Sequence, residues 1–302
     1  RRIDRSAVFR LEEFAMPDKD VVYHYTDQNG IKGILETQEL WCTHIAYMND
    51  ASEHGFAEKL MLDALKSLAE STDAEPRMRD LAKRAKDFWK GWTTPNAKQE
   101  EIFQSPIRGD YIGSFSKESD DLSLWRAYSI TGSRFSIGFR TDFLTPFNFW
   151  EVKYDADEAM QAMKDKFISH IKWSTEHPNS GPFGHPYDGH SGETTELCRM
   201  LIAIGLRYKH SKFRAEREWR ISGTTMPKRK FRNGKSFIIP YGVVELPPDK
   251  KPIASIIVGP CAHRELSVSS VRDMLLMYDW QKGRTLHDYI PVTMSQVPYR
   301  DW

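Results

Sequence analysis

The sequence has 302 residues, which is enough for one large domain or two small ones with a sizeable buried core. Its 43 Lys and Arg residues nearly balance its 42 Asp and Glu residues, so net charge identifies neither a nucleic-acid nor a membrane partner. Because residues 207–235 contain eleven Lys or Arg against two Glu, that segment carries +9 and the rest of the chain −8.

Hydrophobic periodicity and helix-boundary residues predict the secondary structure. Thr26 or Asp27 is placed to cap the first helix, and Pro76 interrupts the apolar stripe of a long helical region. Helices are predicted at residues 29–37, 52–92, 120–128, 157–173, 194–207 and 265–278. Strands are predicted at residues 39–44, 111–116, 135–139, 147–154, 218–222, 236–246, 253–258 and 289–293. Residues 177–191 are rich in Gly and Pro and are predicted to form a surface loop.

The order of these elements predicts the class of fold. Strands outnumber regular βαβ units, and the sequence has no Gly-x-Gly-x-x-Gly turn, P-loop, Gly-x-Ser-x-Gly elbow or His-Glu-x-x-His motif. We therefore expect an α+β fold with a mixed, split β-sheet and helical insertions, not a doubly wound dinucleotide-binding sheet. No segment resembles a linker, so residues 1–302 are expected to form a single domain. Its insertions are expected at about residues 54–92 and 156–207.

Cysteine usage and hydropathy favour a cytoplasmic protein. Cys42, Cys198 and Cys261 are odd in number and far apart, which argues against a disulfide framework and for a reducing compartment. No apolar run approaches the roughly twenty residues that cross a bilayer, so no membrane partner is expected. The first residues lack the apolar stretch of a signal peptide, so export by that route is not expected.

Three short polar motifs lie about a hundred residues apart, each where an exposed strand edge is predicted: His24-Tyr25-Thr26, Ser114-Phe115-Ser116 and Glu216-Arg217-Glu218. Side chains alternate along a strand, so we expect Glu216 and Glu218 to project from one face and Arg217 from the other. Two neighbouring carboxylates suit glycosyl chemistry, since one stabilises a cationic sugar while the other orients or deprotonates the attacking group.

In this chain order, His, Ser-x-Ser and Glu-x-Glu resemble the motifs of the ADP-ribosyltransferase superfamily. Residues 23–41 resemble the first strand and helix of DNA-modifying and other bacterial members. The chain also resembles an uncharacterised bacterial family within or beside the superfamily, through residues 48–53, 114–116, 125–128, 216–220 and 295–300. Arginine-modifying members have Arg in the first motif where this chain has His24, so Glu-x-Glu alone does not indicate an arginine acceptor.

The resemblance implies an ADP-ribosyltransferase-like split sheet and a site that takes NAD as its substrate, with no metal expected. Glu218 would bind the nicotinamide ribose and stabilise the developing positive charge, while Glu216 would orient the acceptor. His24 would hydrogen-bond the ribose. The alternatives are an ion pair for Glu218, an exposed strand carboxylate for Glu216 and a structural hydrogen bond for His24.

The other residues assigned to NAD binding flank these three. They are Tyr25, Thr26, Ser114, Ser116, Trp125, Arg126 and Tyr128. The resemblance implies that the backbone near Tyr25 clamps the nicotinamide amide and that Ser114 supports the ribose or Glu218. Trp125 and Tyr128 are suited to stacking and Arg126 to a pyrophosphate, with helix packing as the alternative for both aromatic residues.

A basic run that follows the Glu-x-Glu strand is assigned to the macromolecular acceptor. It contains Lys228, Arg229, Lys230 and Arg232 around one aromatic residue. This pattern is typical of binding to a nucleic-acid backbone, although basic hairpins are usually only solvated, so the acceptor is left as protein or nucleic acid. Asn49, Asp50 and Glu53 are assigned to the cleft mouth, with capping of the next helix as the alternative for Asn49 and Asp50. The irregular spacing of His177, His185, His190 and Cys198 matches no zinc pattern.

Three functions remain open from the sequence. The preferred one is an NAD-dependent ADP-ribosyltransferase that modifies a macromolecule, as a bacterial toxin or antiviral effector. A toxin would have a neutralising antitoxin among its partners. The second is an NAD glycohydrolase, in which water replaces the acceptor, and the third is a non-catalytic nucleotide or nucleic-acid binding module.

Overall fold

The computed structural model describes residues 20–48, 51–93, 111–128, 133–176, 190–223, 228–234, 236–285 and 287–298. Its strands are β1 (Val21–Asp27), β2 (Glu39–His44), β3 (Tyr111–Ser116), β4 (Arg134–Arg140), β5 (Phe149–Glu151), β6 (Glu218–Gly223), β7 (Arg229–Asn233), β8 (Ile238–Glu245), β9 (Ile253–Val258) and β10 (Val292–Met294). Its helices are α1 (Gln28–Thr37), α2 (Ala51–Ala69), α3 (Pro76–Thr93), α4 (Leu122–Ala127), α5 (Thr141–Leu144), α6 (Ala156–Glu176), α7 (His190–Gly205) and α8 (Arg264–Met277).

The strands form one mixed sheet. Its main path runs β10-β9-β4-β1-β3-β2-β8-β7, with β6 paired to β3 and β5 paired to β6. In the described part of the chain, β9 and β10 are parallel and the other strand pairs are antiparallel. A mixed sheet with helices packed on it confirms the predicted α+β class.

The sheet divides at β3. One edge of β3 pairs with β6 along its whole length, from Tyr111 to Ser116. The opposite edge is shared, because β1 pairs at Ser116 whereas β2 pairs at Tyr111 and Ile112. β1 and β2 therefore diverge over the middle of β3, and α1 connects them. This divergence, called the split below, lies beside Ser114.

The two faces of the sheet are covered differently. Phe115 of β3 points into a large apolar cluster that packs against α1 and α8. Ile112 points to the opposite face, under the helical layer formed by α2, α3, α6 and α7. Tyr25 of β1 packs on that second face under α4. Because side chains alternate, Ser114 and Ser116 share the face of Ile112 and lie between these two helical covers.

Most predicted elements are present, with boundaries shifted by a few residues. Asp27 caps α1, since its carboxylate accepts the Gly30 amide at 2.8 Å, and a turn before Pro76 divides the helical region 52–92 into α2 and α3. The strand predicted at 147–154 is reduced to β5. Among the described helices, none combines the length and apolar character needed to cross a membrane.

Two helical glycines have opposite surroundings, which gives a matched pair of stability predictions. A methyl group on Gly205 of α7 would lie 2.8 Å from Ala57 Cβ and 2.9 Å from Met163 Cε, whereas one on Gly33 of α1 would meet nothing within 4 Å. We expect Gly205→Ala to lower the free energy of unfolding by about 1–3 kcal/mol through overpacking. Gly33→Ala is expected to raise it by about 0.5–1 kcal/mol. Urea titration measures both, and equal effects would contradict the close packing at Gly205.

Candidate active site

The Ser-x-Ser and Glu-x-Glu segments are brought together by β3 and β6. Their register places Ser116 opposite Glu218 and Ser114 opposite Arg220, so these four side chains share one face of the sheet. Tyr23 of β1 lies opposite Ser116 on the other edge of β3 and adds its ring to the same face. The Ser-x-Ser and Glu-x-Glu motifs therefore converge next to the split.

The prediction that Glu216 and Glu218 project from one face of a strand is wrong. β6 begins at Glu218, whereas Glu216 ends a 3-10 helix (Ser211–Glu216) and Arg217 has a left-handed backbone with φ of 43°. The left-handed residue bends the chain, so Glu216 approaches Glu218 from a turn. Ser116 holds this turn by donating its hydroxyl to the Glu216 carbonyl at 2.6 Å.

Both carboxylates are held by buried cations. Lys209 Nζ lies 2.7 Å from Glu216 Oε2 and 3.1 Å from Glu218 Oε2, so one ammonium bridges the pair. Arg220 donates from Nε to Glu218 Oε1 at 2.6 Å and from Nη2 to Oε2 at 2.9 Å. The side chains of Lys209, Arg220 and Glu218 are 6%, 1% and 3% exposed. Two carboxylates and two cations make the cluster formally neutral, which is compatible with its burial.

Contacts with the backbone fix this cluster to neighbouring elements. The Glu218 amide donates to the Tyr154 hydroxyl at 2.9 Å. The guanidinium that binds Glu218 also donates from Nη1 to the Leu206 carbonyl at 3.2 Å. The Lys209 amide donates to the Lys153 carbonyl at 2.9 Å. Lys153, which follows β5, therefore helps to position Lys209, and Leu206, which follows α7, helps to position Arg220.

The cations keep Glu218 ionised despite its burial. Burial raises the pKa of the Glu218 carboxyl, but the charge and hydrogen bonds of Arg220 and the charge of Lys209 outweigh it. The resulting pKa is below the ordinary value of 4.5, and a hydrogen bond from the Ser114 hydroxyl acts in the same direction. Each Glu218 oxygen already meets a cation, so positive charge on a substrate would share this carboxylate with Arg220 and Lys209.

A narrow cleft of about 10 Å³ opens above these residues, between β1, β3 and α4. This volume holds about one water molecule, so neither a nicotinamide ring nor a whole dinucleotide enters unless side chains at the rim move. Tyr128 stands at the rim, 41% exposed and 6.3 Å from the ring of Tyr25, so rotation of its side chain would enlarge the cleft. The lining is Tyr23, Tyr25, Ser114, Phe115, Ser116, Leu124, Tyr128, Glu216 and Glu218.

His24 lies beside the split but outside the lining of this cleft. Alternation along β1 turns its ring toward Phe115, with ring centroids 5.9 Å apart. Its Nδ1 lies 3.0 Å from the Ser114 carbonyl oxygen, and because a carbonyl only accepts, Nδ1 carries the proton. Burial lowers the pKa of His24 more than this bond raises it, so at pH 7 the ring is neutral and Nε2 is an acceptor. The ribose contact of His24 stays a prediction.

Three other residues assigned to NAD do not line the cleft. The assignment of Trp125 to ligand contact is wrong, because its ring is 1% exposed and its Nε1 donates to Asp120 at 2.7 Å. Arg126 is exposed on the same helix. Thr26 packs on the first turn of α1, where a Cβ on Gly30 would meet its Oγ1 at 1.7 Å.

The basic run is not adjacent to β6 in the sheet. β7 pairs with β8 at the far end of the main path. It follows β6 in the sequence but is not its neighbour in the sheet. Lys228 and Lys230 bind the buried carboxylate of Glu39 at 3.0 and 2.6 Å. Arg229 and Arg232 are exposed. Two of the four cations therefore have a structural ion pair, and the two arginines face solvent.

Several candidate residues lie outside the described part of the chain. They are Asn49, Asp50, the side chain of Glu53, His177, His185, the side chain of His190 and residues 299–300. Among the residues that are described, no group of three or more His, Cys, Asp or Glu is placed to hold a metal ion.

Burial raises the pKa of Cys42 and Cys198 to about 12, so both thiols stay protonated and unreactive at pH 7.

Lys209, Arg220 and Tyr154 belong to the site but were not assigned to it from the sequence. Arg220 follows Glu218 by two positions on a strand, so alternation could have placed it on the same face. Lys209 and Tyr154 reach the site from segments outside the three motifs, and their contacts depend on tertiary structure. The excess of Arg and Lys over residues 207–220 was the signal for the cations.

A family model described as "Protein of unknown function (DUF2971)" matches residues 124–221. The matched segment runs from α4 to β6, so it contains Lys209, Glu216, Glu218 and Arg220 but neither β1 nor β3. No curated protein and no solved structure matches the chain. The similarity therefore covers about a third of the chain, and that third carries the ion-paired carboxylates.

Proposed function

We propose that the protein is an NAD-dependent ADP-ribosyltransferase with the split-sheet fold of that superfamily, acting in the cytoplasm on a protein or nucleic-acid acceptor. The observation that carries the proposal is the ionised Glu218 carboxylate, buried at a cleft that Ser114, Ser116 and tyrosine rings also line. The position of this cleft at the split, where β1 and β2 leave β3, supports the same proposal.

The reaction is a substitution at the ribose carbon that bears nicotinamide. The bond from this carbon to the ring nitrogen breaks, and its electron pair leaves with neutral nicotinamide. The sugar becomes oxocarbenium-like, and the Glu218 carboxylate stabilises its positive charge. Lys209 and Arg220 hold that carboxylate ionised and in place, so it needs little reorganisation as charge develops. The acceptor nucleophile then bonds to the same carbon and loses a proton.

Other side chains position the reactants. Tyr128 at the rim is placed to cover the nicotinamide ring, with Tyr25 beside it. Neutral His24 donates from Nδ1 to the Ser114 carbonyl, and its proposed contact with a ribose hydroxyl requires NAD to enter the split. Glu216 is 18% exposed, against 3% for Glu218, so it is the carboxylate better placed to meet an acceptor.

Glu216→Gln separates transfer from hydrolysis. The amide keeps the shape of the side chain but loses the charge that orients and deprotonates the acceptor nucleophile. We expect transfer of ADP-ribose to macromolecules to fall about 100-fold or more, while nicotinamide release to water falls less than about threefold. NAD with a labelled adenylate reports both quantities in one reaction.

Glu151→Gln is the control for this test, because Glu151 is an exposed carboxylate on β5. It is expected to leave both quantities unchanged. An equal fall of transfer and release in Glu216→Gln would contradict the role given to Glu216. Nicotinamide release without any transfer in the parent protein would make it a glycohydrolase.

A further inference from the structure

The β7–β8 hairpin, taken over residues 228–242 and called the basic hairpin below, exposes large apolar side chains. Phe231, Phe237 and Ile238 are 72%, 57% and 63% exposed. The Gly234 amide donates to the Phe237 carbonyl at 2.9 Å and closes the turn, so these side chains project from a defined tip. Exposed aromatic side chains on an edge hairpin are typical of a surface that binds another molecule.

The same hairpin carries concentrated positive charge. Residues 228–242 contain five Lys or Arg and no Asp or Glu, in a chain whose net charge is +1. Glu39 of β2 neutralises part of this charge by binding Lys228 and Lys230. The exposed Arg229 and Arg232 remain available to an anionic partner. Charge complementarity therefore favours a polyanion.

Further aromatic rings extend the surface onto β2 and the turn after it. The ring centroids of Tyr47 and Phe237 lie 5.7 Å apart, and Trp41 stacks on Tyr241 with ring centroids 4.5 Å apart. Trp41 and Tyr47 are each more than one-third exposed. Surfaces that bind single-stranded nucleic acid interleave cations, which follow the phosphates, with rings that stack on bases. An acidic peptide would use the cations but leave the rings without partners.

Of the two exposed arginines, Arg232 points to the face of the sheet on which the cleft lies. Arg232 Nη2 lies 3.4 Å from Thr43 Oγ1, and Thr43 is opposite Ile112, two residues before Ser114. β7 is three strand spacings from β3, about 14 Å. The helical layer of α2, α3, α6 and α7 covers Ile112 between the two sites, so a polymer bound at the hairpin would have to pass around this layer to reach Glu216.

We propose that the basic hairpin binds single-stranded nucleic acid, with phosphates at Arg229 and Arg232 and bases stacked on Phe231 and Phe237. Alternation puts Arg229 and Phe231 on one face of β7 and Arg232 on the other, so the strand would cross the outer edge of β7. Binding does not depend on NAD. The further statement, that the bound strand is the acceptor, rests on the proposed function.

Fluorescence anisotropy of labelled single-stranded DNA and RNA of about 12 nucleotides tests this binding with the full chain and no NAD. Replacing both Phe231 and Phe237 by Ala is expected to weaken binding about tenfold or more with little change in salt dependence, because stacking is not ionic. Replacing both Arg229 and Arg232 by Gln is expected to reduce the slope of log affinity against log salt by about 1.4, since two phosphate contacts are lost.

The control removes the same charge elsewhere. Lys83→Gln with Lys166→Gln changes two exposed lysines of α3 and α6 and is expected to bind as the parent protein does. Equal weakening by the control pair would overturn the proposal. So would tighter binding of polyglutamate than of the single strand, which would indicate an acidic protein partner. Because NAD is absent, a failed transferase assay does not alter this result.

Discussion

Glu218→Gln is expected to lower the rate of nicotinamide release from NAD by about 100-fold or more. The amide has the shape of the carboxylate and still accepts a hydrogen bond from Arg220, but it lacks the charge that stabilises the oxocarbenium-like sugar. NAD affinity is expected to change far less, because tyrosine and serine side chains form most of the cleft lining. Product chromatography and calorimetry measure the rate and the affinity separately.

Glu151→Gln is again the matched control, since it changes an exposed carboxylate on the strand next to β6. It is expected to release nicotinamide at the parental rate. Thermal unfolding of Glu218→Gln is measured alongside, because the substitution leaves an excess positive charge in a buried cluster. A folded Glu218→Gln variant with the parental rate would show that Glu218 is only a structural ion-pair residue.

Lys209→Met is expected to have the second largest effect. It removes the ammonium that bridges Glu216 and Glu218 and leaves the cluster with an excess negative charge. Breaking a buried ion pair in this way costs about 3–5 kcal/mol of the free energy of unfolding. Lys212→Met removes an exposed lysine three residues later and is expected to cost less than about 0.5 kcal/mol. Urea titration at pH 7 compares the two, and equally small losses would contradict the bridging role.

Lys209→Met is also expected to move the acid limb of the pH–rate profile to higher pH. Burial raises the Glu218 pKa, while Arg220 and Lys209 lower it below 4.5, so removing Lys209 raises it. Activity needs the ionised carboxylate, so the rate of the variant is lost at a higher pH than that of the parent. Lys209→Arg keeps the charge and is expected to keep the parental limb. A purely structural Lys209 would lower the rate without moving the limb.

The lowered pKa of Glu218 also makes the free energy of unfolding depend on pH. A carboxyl whose folded pKa is lowered contributes stability above its unfolded pKa, and that stability is lost as pH falls through the folded pKa. For Glu218 the contribution is therefore fully present above about pH 4.5 and lost below it. In Lys209→Met this contribution is smaller and is lost at a higher pH.

The sequence predicted those parts of the site that depend on local pattern. Period-two alternation correctly placed Ser114 and Ser116 on one face of a strand. The capping preference of Thr and Asp narrowed the start of α1 to Thr26 or Asp27, and Asp27 is the cap. Hydrophobic periodicity also located the helices, because each buries one apolar stripe. The α+β class followed from the order of these elements.

The rest of the site depends on contacts between distant segments. Arg217 adopts a left-handed backbone without being Gly or Asn, so no local signal marked the bend that separates Glu216 from β6. Lys209 is buried only because two carboxylates neutralise it, a condition that its own sequence neighbourhood does not reveal. The buried position of Trp125 was likewise decided by packing of α4 on β1.

Label transfer from NAD carrying a labelled adenylate tests the central claim most directly. The purified chain and its Glu218→Gln variant are incubated with this NAD and a cell lysate, and both nicotinamide release and macromolecular label are followed. We predict transfer that the variant loses, with nuclease or protease digestion then showing whether the acceptor is nucleic acid or protein. No Glu218-dependent turnover of NAD by the folded chain would contradict the proposed function.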